Sequence, residues 1–420
     1  MRLLITIALL CLPFATTATA QDNDKVGALK AEVTQKIEDN TKLVQEIVDS
    51  LFSFSELGFQ EYETQRYVGD LLEDNGFEVE KGVAGLPTGF WATWGSGHPV
   101  IALGTDVDGI PKASQKPGVA YKEPLIEGAP GHGEGHNSGM AVIISAALAL
   151  QDVMKRDNIP GTIVVWPGIA EELLAGKAFF TREGKFDNVD AVLFTHVGSS
   201  SAVSWGQARG TGLISVEYTF KGESSHSAGA PWRGKSALDA VELMNAGWNF
   251  RREHLHPLQR SHYIISDGGD QPNVVPQTAS VWYYIREMTA EKILENYKKL
   301  NETADGAALM TDTSVSHRVV GGAWPRHYNR PMAEAVQSNI EAIGMPDWDE
   351  KDQIFAKAVQ VLADNEQTGL NTEVSEIRAP SEYPVSGGSD DIGDISWLVP
   401  TITYNYPANI ADLGGHNWRN

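Results

Sequence analysis

The segment Gly131-His-Gly-Glu-Gly-His-Asn-Ser-Gly139 places His132, Glu134 and His136 at alternate positions. On extended backbone that spacing turns all three side chains the same way, and the interleaved glycines let the chain bend around a small cation. Imidazole and carboxylate are donors suited to zinc, manganese or cobalt. An apolar helical pattern begins directly afterwards, so the segment reads as a loop at a helix N-terminus. By itself it fits two descriptions, a metal-binding loop or a glycine-rich turn whose histidines cap and pack.

A second group, Ala170-Glu171-Glu172, follows an apolar run that ends at Trp166 and Pro167. Two carboxylates at the end of a strand stand where open α/β sheets place their ligands. Neighbouring side chains diverge on extended backbone, so one glutamate can ligate a cation while the other faces substrate as a base. An acidic helix start has the same composition. His196 follows the apolar run 191–194, and Gly414-Gly-His416-Asn417 adds a glycine-flanked histidine. A lone histidine in either place is commonly structural. Four separate sites with the right donor types point instead to a shared centre, since two ions call for about five or six ligands and a bridging water.

The elements that must position these residues alternate. Pro99-Val-Ile-Ala-Leu-Gly-Thr105, Gly161-Thr-Ile-Val-Val-Trp166 and Ala191-Val-Leu-Phe-Thr195 are apolar throughout, and a helical pattern runs from 140 to 154. Such runs suit strands buried on both faces, giving an α/β fold with a mostly parallel sheet and helices on both faces. Leu43, Ile47 and Leu51 predict one long amphipathic helix over 26–52, and a second covers 62–75 after the turn Glu56-Leu-Gly-Phe59. Beyond Gly210 the texture changes. An alternating strand at 213–220 is followed by a helix bearing Leu238, Val241, Met244 and Trp248, strands at 263–266 and 280–285, a helix at 290–310 and a strand at 314–320. That βαββαβ order is a ferredoxin-like sandwich, expected as an inserted domain over 210–320 between catalytic segments 21–209 and 321–420. The last segment predicts helices over 332–343 and 352–364, then a loop and a returning strand at 400–404.

Residues 1–20 read as a secretory signal peptide, with an apolar run at 3–14 and an Ala18-Thr-Ala20 cleavage site. The run is shorter than the roughly 20 residues of a spanning helix, so the expectation is export to a bacterial periplasm with no membrane anchor after cleavage. Cys11, the single cysteine, lies in this leader, so the exported chain can form no disulfide and must build any metal site from His, Asp and Glu. About 400 residues then remain, which suggests about two domains. A formal charge of −22, spread along the chain, argues against nucleic-acid and anionic-membrane partners; solubility accounts for it.

Seven segments together resemble the signatures of the M20 family of amidohydrolases and peptidases, in family order. They are Glu56-Leu-Gly-Phe-Gln-Glu61, Thr105-Asp-Val-Asp-Gly-Ile-Pro111, the 131–137 loop, Ala170-Glu-Glu172, Gly222-Glu-Ser-Ser-His-Ser-Ala228, Pro272-Asn-Val-Val-Pro276 and Gly388-Ser-Asp-Asp-Ile-Gly-Asp-Ile-Ser-Trp397. Ser236-Ala-Leu-Asp-Ala-Val-Glu-Leu-Met-Asn245 and Ala307-Ala-Leu-Met-Thr-Asp-Thr313 resemble the aminobenzoyl-glutamate hydrolase branch. The resemblance implies two divalent ions, zinc, manganese or cobalt, held by Glu134, His136, Glu172, His196 and His416. It implies Glu171 as general base, and His226 polarising the scissile carbonyl, commonly from the other subunit of a homodimer joined through the inserted dimerisation or lid domain. Asn273 would hold a substrate carbonyl or carboxylate, and Asp106, Asp108 and His132 would support the ligands from behind. The implied reaction is hydrolysis of an N-acyl or N-aroyl amino acid or short peptide, with a dipeptidase, a carboxypeptidase or an inactive metal- or peptide-binding protein as alternatives on the same scaffold. Two positions depart from the branch. Glu134, a harder donor, stands where the branch has cysteine, and the four residues after His416 are fewer than the helix with which family members usually continue past the last histidine ligand, as expected of either a fragment or a trimmed variant.

Overall fold

The computed structural model describes residues 14–174, 176–208, 210–381 and 388–419, with side chains from 25 onward. The expected leader lies outside the described residues through position 13, Cys11 included.

The N-terminal stripe forms two helices, correcting the single helix expected over 26–52: α1 (Phe14–Asp39) and α2 (Thr41–Phe54). Asn40 separates them at φ −98°, ψ 16°, and residues such as Asp39 and Asn40 compete locally for backbone hydrogen bonds rather than extend a helix. α3 (Tyr62–Asp74) follows, with the Glu56 carboxylate accepting from the N–H groups of Glu63 and Thr64 at 2.8 and 2.9 Å. This satisfies two donors that a helix start leaves open.

Next come β1 (Glu78–Lys81), β2 (Phe90–Ser96), β3 (Val100–Asp106), α4 (Gly139–Asp157), β4 (Gly161–Gly168), α5 (Lys177–Arg182), β5 (Ala191–Gly198) and β6 (Ala202–Val203). The inserted unit contributes β7 (Gly212–Lys221), α6 (Ala237–Arg252), β8 (Arg260–Asp267), β9 (Thr278–Glu287), α7 (Ala290–Thr311) and β10 (Ser314–Ala323). The chain then returns with α8 (Arg330–Ile343), α9 (Glu350–Leu362), α10 (Ile392–Ser396) and β11 (Thr401–Pro407).

The large sheet has the order β1-β2-β4-β3-β5-β11-β6. Its centre, β4, β3, β5 and β11, is parallel; β2 and β6 run against it at the two sides, and β1 pairs antiparallel with β2 at the outer edge. Helices pack on both faces, as the apolar strands require. Every residue of β4 is buried, and Trp166 within it lies against Gly104, where an added Cβ would fall 2.4 Å from the indole. Close packing at the centre therefore needs glycine on β3. The C-terminal ends of the parallel strands fall at Asp106, Gly168, Gly198 and Pro407, along one edge.

The inserted unit is a four-stranded antiparallel sheet, order β10-β7-β9-β8, packed against α6 and α7, the expected ferredoxin-like arrangement. Tyr218, Phe220, Met244, Trp248 and Tyr283 form a core separate from that of the large sheet. A small third cluster, Leu174, Leu213 and Ala323, lies where the two units meet.

Candidate metal centre and active site

The carboxylate of Glu134 faces three imidazoles. Its oxygens lie 3.2 Å from His416 Nε2, 3.8 Å from His136 Nε2 and 3.9 Å from His196 Nε2. His416 Nε2 is also 3.3 Å from Glu172 Oε2. Two of the rings are oriented from behind: His136 Nδ1 bonds to the Asp108 carbonyl at 3.0 Å, and His196 Nδ1 to the Val197 carbonyl at 2.8 Å. A backbone carbonyl takes the Nδ1 proton and leaves the Nε2 lone pair to face inward, as metal-binding histidines are usually set. Among the described residues, His136 Nε2 and Glu172 Oε1 are buried without a hydrogen-bond partner. Buried polar atoms are nearly always paired, and orphaned donors converging on one point are satisfied by a cation. One donor atom each from Glu134, His136, Glu171 and Glu172 fits within 4.8 Å, as does one each from Asp106, His136 and His196. These residues fit a metal centre built from nitrogen and oxygen donors.

The charges respond to one another. Burial pushes Glu134 up, but the hydrogen bond to His416 and the charges of His136 and His196 outweigh it and hold the carboxyl below its ordinary range. Burial pushes Glu172 up to about 7 against the pull of His136. Glu171 lies well above the usual carboxylate range through burial, then through the charges of Asp106 and Asp390. The pair occupies a 3-10 turn, Glu171–Leu173, rather than the extended backbone expected for it. Asp108 fastens this turn, with Oδ1 accepting from Glu171 N at 3.2 Å and Oδ2 from Glu172 N at 3.1 Å.

Behind the cluster, the fully buried Lys177 ammonium contacts Asp106 and Asp391 and lies 3.6 Å from Asp390. Arg326 approaches the other oxygen of Asp390 at 3.7 Å. In front, a cleft of about 840 Å³ is walled by the metal-centre residues on one side and by Tyr284 and Arg286 of β9 on the other, with Arg326 and Ser389 between. Arg286 donates to Ser389 Oγ at 2.8 Å.

Not every expected residue joins this group. His132 does not face the cluster with Glu134 and His136. It is buried behind the loop with Nε2 bonded to the Leu51 carbonyl at 3.0 Å, since the chain bends at Gly133 and Glu134 and is not the extended run that alternation assumes. Burial, with the charge of His136, lowers His132 to about 4. His226 and Asn273 are exposed neighbours on the inserted unit, linked through Ser227 N to the Asn273 carbonyl at 3.0 Å, and neither lines the cleft. The His226 Nδ1 accepts from Ala228 N and Gly229 N at 3.2 and 3.1 Å, so its Nε2 carries the proton outward. Sequence reasoning passed over Lys177, Arg286 and Arg326. The only signal for Lys177 is its place five residues after Glu172.

The Peptidase dimerisation domain family matches residues 210–308. Over 413 residues the chain is 32% identical to one of the subunits of the p-aminobenzoyl-glutamate hydrolase of Escherichia coli (strain K12), an alignment covering 92% of this chain and 85% of that one. It is 27% identical over 388 residues to the Xaa-Arg dipeptidase of Mus musculus, covering 89% and 78% of the two chains. The crystal structure of an aminobenzoyl-glutamate utilization protein from Klebsiella pneumoniae shares the fold, with a TM-score of 0.64 over 89% of this chain and 93% of that one, at 16% identity.

Proposed function

We propose that this chain, which belongs to the M20 family of metal-dependent amidohydrolases and peptidases in its aminobenzoyl-glutamate hydrolase-like branch, cleaves the amide bond of an N-acyl or N-aroyl amino acid or short peptide. The observation that carries this reading is the buried Glu171 carboxyl beside a cluster whose unpartnered nitrogen and oxygen donors open onto a cleft. Two ions, zinc, manganese or cobalt, would be held by Glu134, His136, Glu172, His196 and His416. Such ions supply a Lewis acid and a water acidic enough to lose its proton near neutrality. Glu171 accepts the proton of the attacking water and returns it to the leaving amine. Arg286 offers a guanidinium to a substrate carboxylate at the cleft wall, and a planar donor fork matches that group.

The test is elemental analysis paired with turnover of p-aminobenzoyl-glutamate and a panel of N-acyl amino acids. About two ions per chain are expected, with metal content reduced in Glu134→Ala. A chain that takes up no zinc, manganese or cobalt and turns over none of the panel would sink the reading.

His226 and Asn273, exposed in one chain, are assigned to the cleft of a partner copy. The homodimer forms through the inserted domain, whose edge strand β8 presents Ile264 and Ile265 to solvent. This assignment predicts complementation: Glu171→Ala and His226→Ala, each inactive alone, regain about a quarter of wild-type activity when mixed and re-equilibrated, because a mixed dimer rebuilds one intact site. Mixtures as inactive as their components would mean that His226 does not act across a dimer, and a His226→Ala variant fully active alone would place it outside the reaction. Residues 1–20 are assigned as a leader that delivers the enzyme to the periplasm, which N-terminal sequencing of the exported chain checks.

A further inference from the structure

We infer that Glu61 is a positioning residue for Glu171, acting through the backbone N–H of Ala170. This rests on the amide-hydrolase reading above and adds a residue to it. Glu61 is fully buried, and its hydrogen bonds go to Phe59, Thr88 and Ala170, none of them a proposed reacting group. Its Oε2 accepts from Thr88 Oγ1 at 2.7 Å, and its Oε1 accepts from Phe59 N and Ala170 N, both at 3.0 Å. Ala170 is left-handed, at φ 53° and ψ 41°. A residue with a Cβ rarely adopts that conformation and keeps it only where its surroundings over-determine it.

The surroundings here are specific. β4 has ended at Gly168 and the 3-10 turn begins at Glu171, so the intervening amides have no strand partner and need acceptors from outside. Three consecutive N–H groups find them in two buried carboxyls: Ala170 N on Glu61 Oε1, Glu171 N on Asp108 Oδ1 and Glu172 N on Asp108 Oδ2. The two chain segments that bear these carboxyls are themselves tied together, since Gly109 N donates to the Glu56 carbonyl at 2.8 Å and Leu57 bridges Gly109. Gly58 closes the bracket from the other side. A Cβ there would lie 2.9 Å from Ala170 Cβ and 3.3 Å from Asp108 Oδ2. The turn at 56–61 therefore grips the backbone just ahead of the two glutamates. Releasing Ala170 N lets Ala170 relax out of the left-handed region, which turns the adjoining Glu171 side chain, while Glu172 stays tied through its N–H to Asp108 Oδ2.

The experiment compares Glu61→Leu, Glu61→Gln and Gly58→Ala in the full chain, reading kcat, KM, metal content and amide hydrogen exchange across 169–173. Glutamine keeps a carbonyl oxygen for both amides and leucine keeps only bulk. Glu61→Leu should lose about 100-fold in kcat, the scale of a 1 Å misplacement of reacting groups, with KM and metal content held and faster exchange at Ala170. Glu61→Gln should stay within about fivefold of wild type, since a neutral acceptor preserves the geometry. Full kcat in Glu61→Leu overturns the inference, as does loss of metal in parallel with kcat, or a glutamine variant as slow as the leucine one. If Glu61→Leu does not fold, Gly58→Ala carries the test, with about a tenfold fall in kcat at constant metal content expected from the displaced backbone and an unchanged kcat overturning the proposal. Should the wild-type chain cleave none of the amide panel, the reaction assignment fails on its own. Exchange at Ala170 then still decides, and rates unchanged in Glu61→Leu overturn the positioning role.

Discussion

Glu171→Gln is expected to cut turnover by about 10³-fold or more while the chain keeps its metal, since a positioned general base contributes on the order of 10²–10⁴ and this one serves two proton transfers. The substitution retains the side chain's volume in a buried site and removes the site that takes the proton. Glu172, one residue on, faces His416 at 3.3 Å and is assigned to the ions, so it cannot take over the role without giving up that position. The check is kcat and elemental analysis on the same sample. A variant that keeps both its metal and full turnover removes Glu171 from the mechanism, whereas one that loses both places Glu171 among the ligands.

Lys177→Met is expected to destabilise the fold by about 3–5 kcal/mol, the usual consequence of removing one partner from a buried ionic group. The lysine is fully buried and is the cation nearest to Asp106 and Asp391, with Asp390 close by. Its backbone N–H also donates to Asp391 at 2.9 Å, so α5 and the segment leading into α10 are held at both ends of one residue. Without the ammonium, carboxylates buried beside the metal centre must take up protons or draw in water, and either costs free energy. Urea unfolding at neutral pH measures the loss. A midpoint equal to that of the wild type would mean that the aspartates neutralise at little cost and that the network serves orientation alone.

The parts of this fold that could be read in the sequence are those whose burial leaves a periodic trace. The runs at 100–105, 161–166 and 191–195 are apolar because both faces of their strands are covered, and 213–220 alternates because one face of the inserted sheet packs on α6 and α7. β1 left no such trace, being a short strand at the sheet's side with a mostly exposed surface. Spacing by two placed Glu134 and His136 together but carried His132 with them in error, since the segment bends at Gly133 and Glu134 and alternation holds only on extended backbone. Lys177 was invisible for a different reason. A single lysine carries no pattern, and its importance arises from three aspartates that meet it only after the sheet has formed. Arg286 looked like an ordinary outward residue of an alternating strand; its role depends on how the two units face each other across the cleft.

The small cluster of Leu174, Leu213 and Ala323 has a mechanical consequence. Leu174 follows the two carboxylates by two residues, and its carbonyl accepts from Gly322 N of β10 at 3.2 Å, while its side chain packs on Leu213 of β7. The first and last strands of the inserted unit thus pull on the same short stretch of chain that carries Glu171 and Glu172. If the cleft widens to admit a substrate or release products, the swing of the smaller unit is geared directly to the stance of those two side chains. Gating and alignment then share one lever arm, and a mutation that stiffens the joint would change both together.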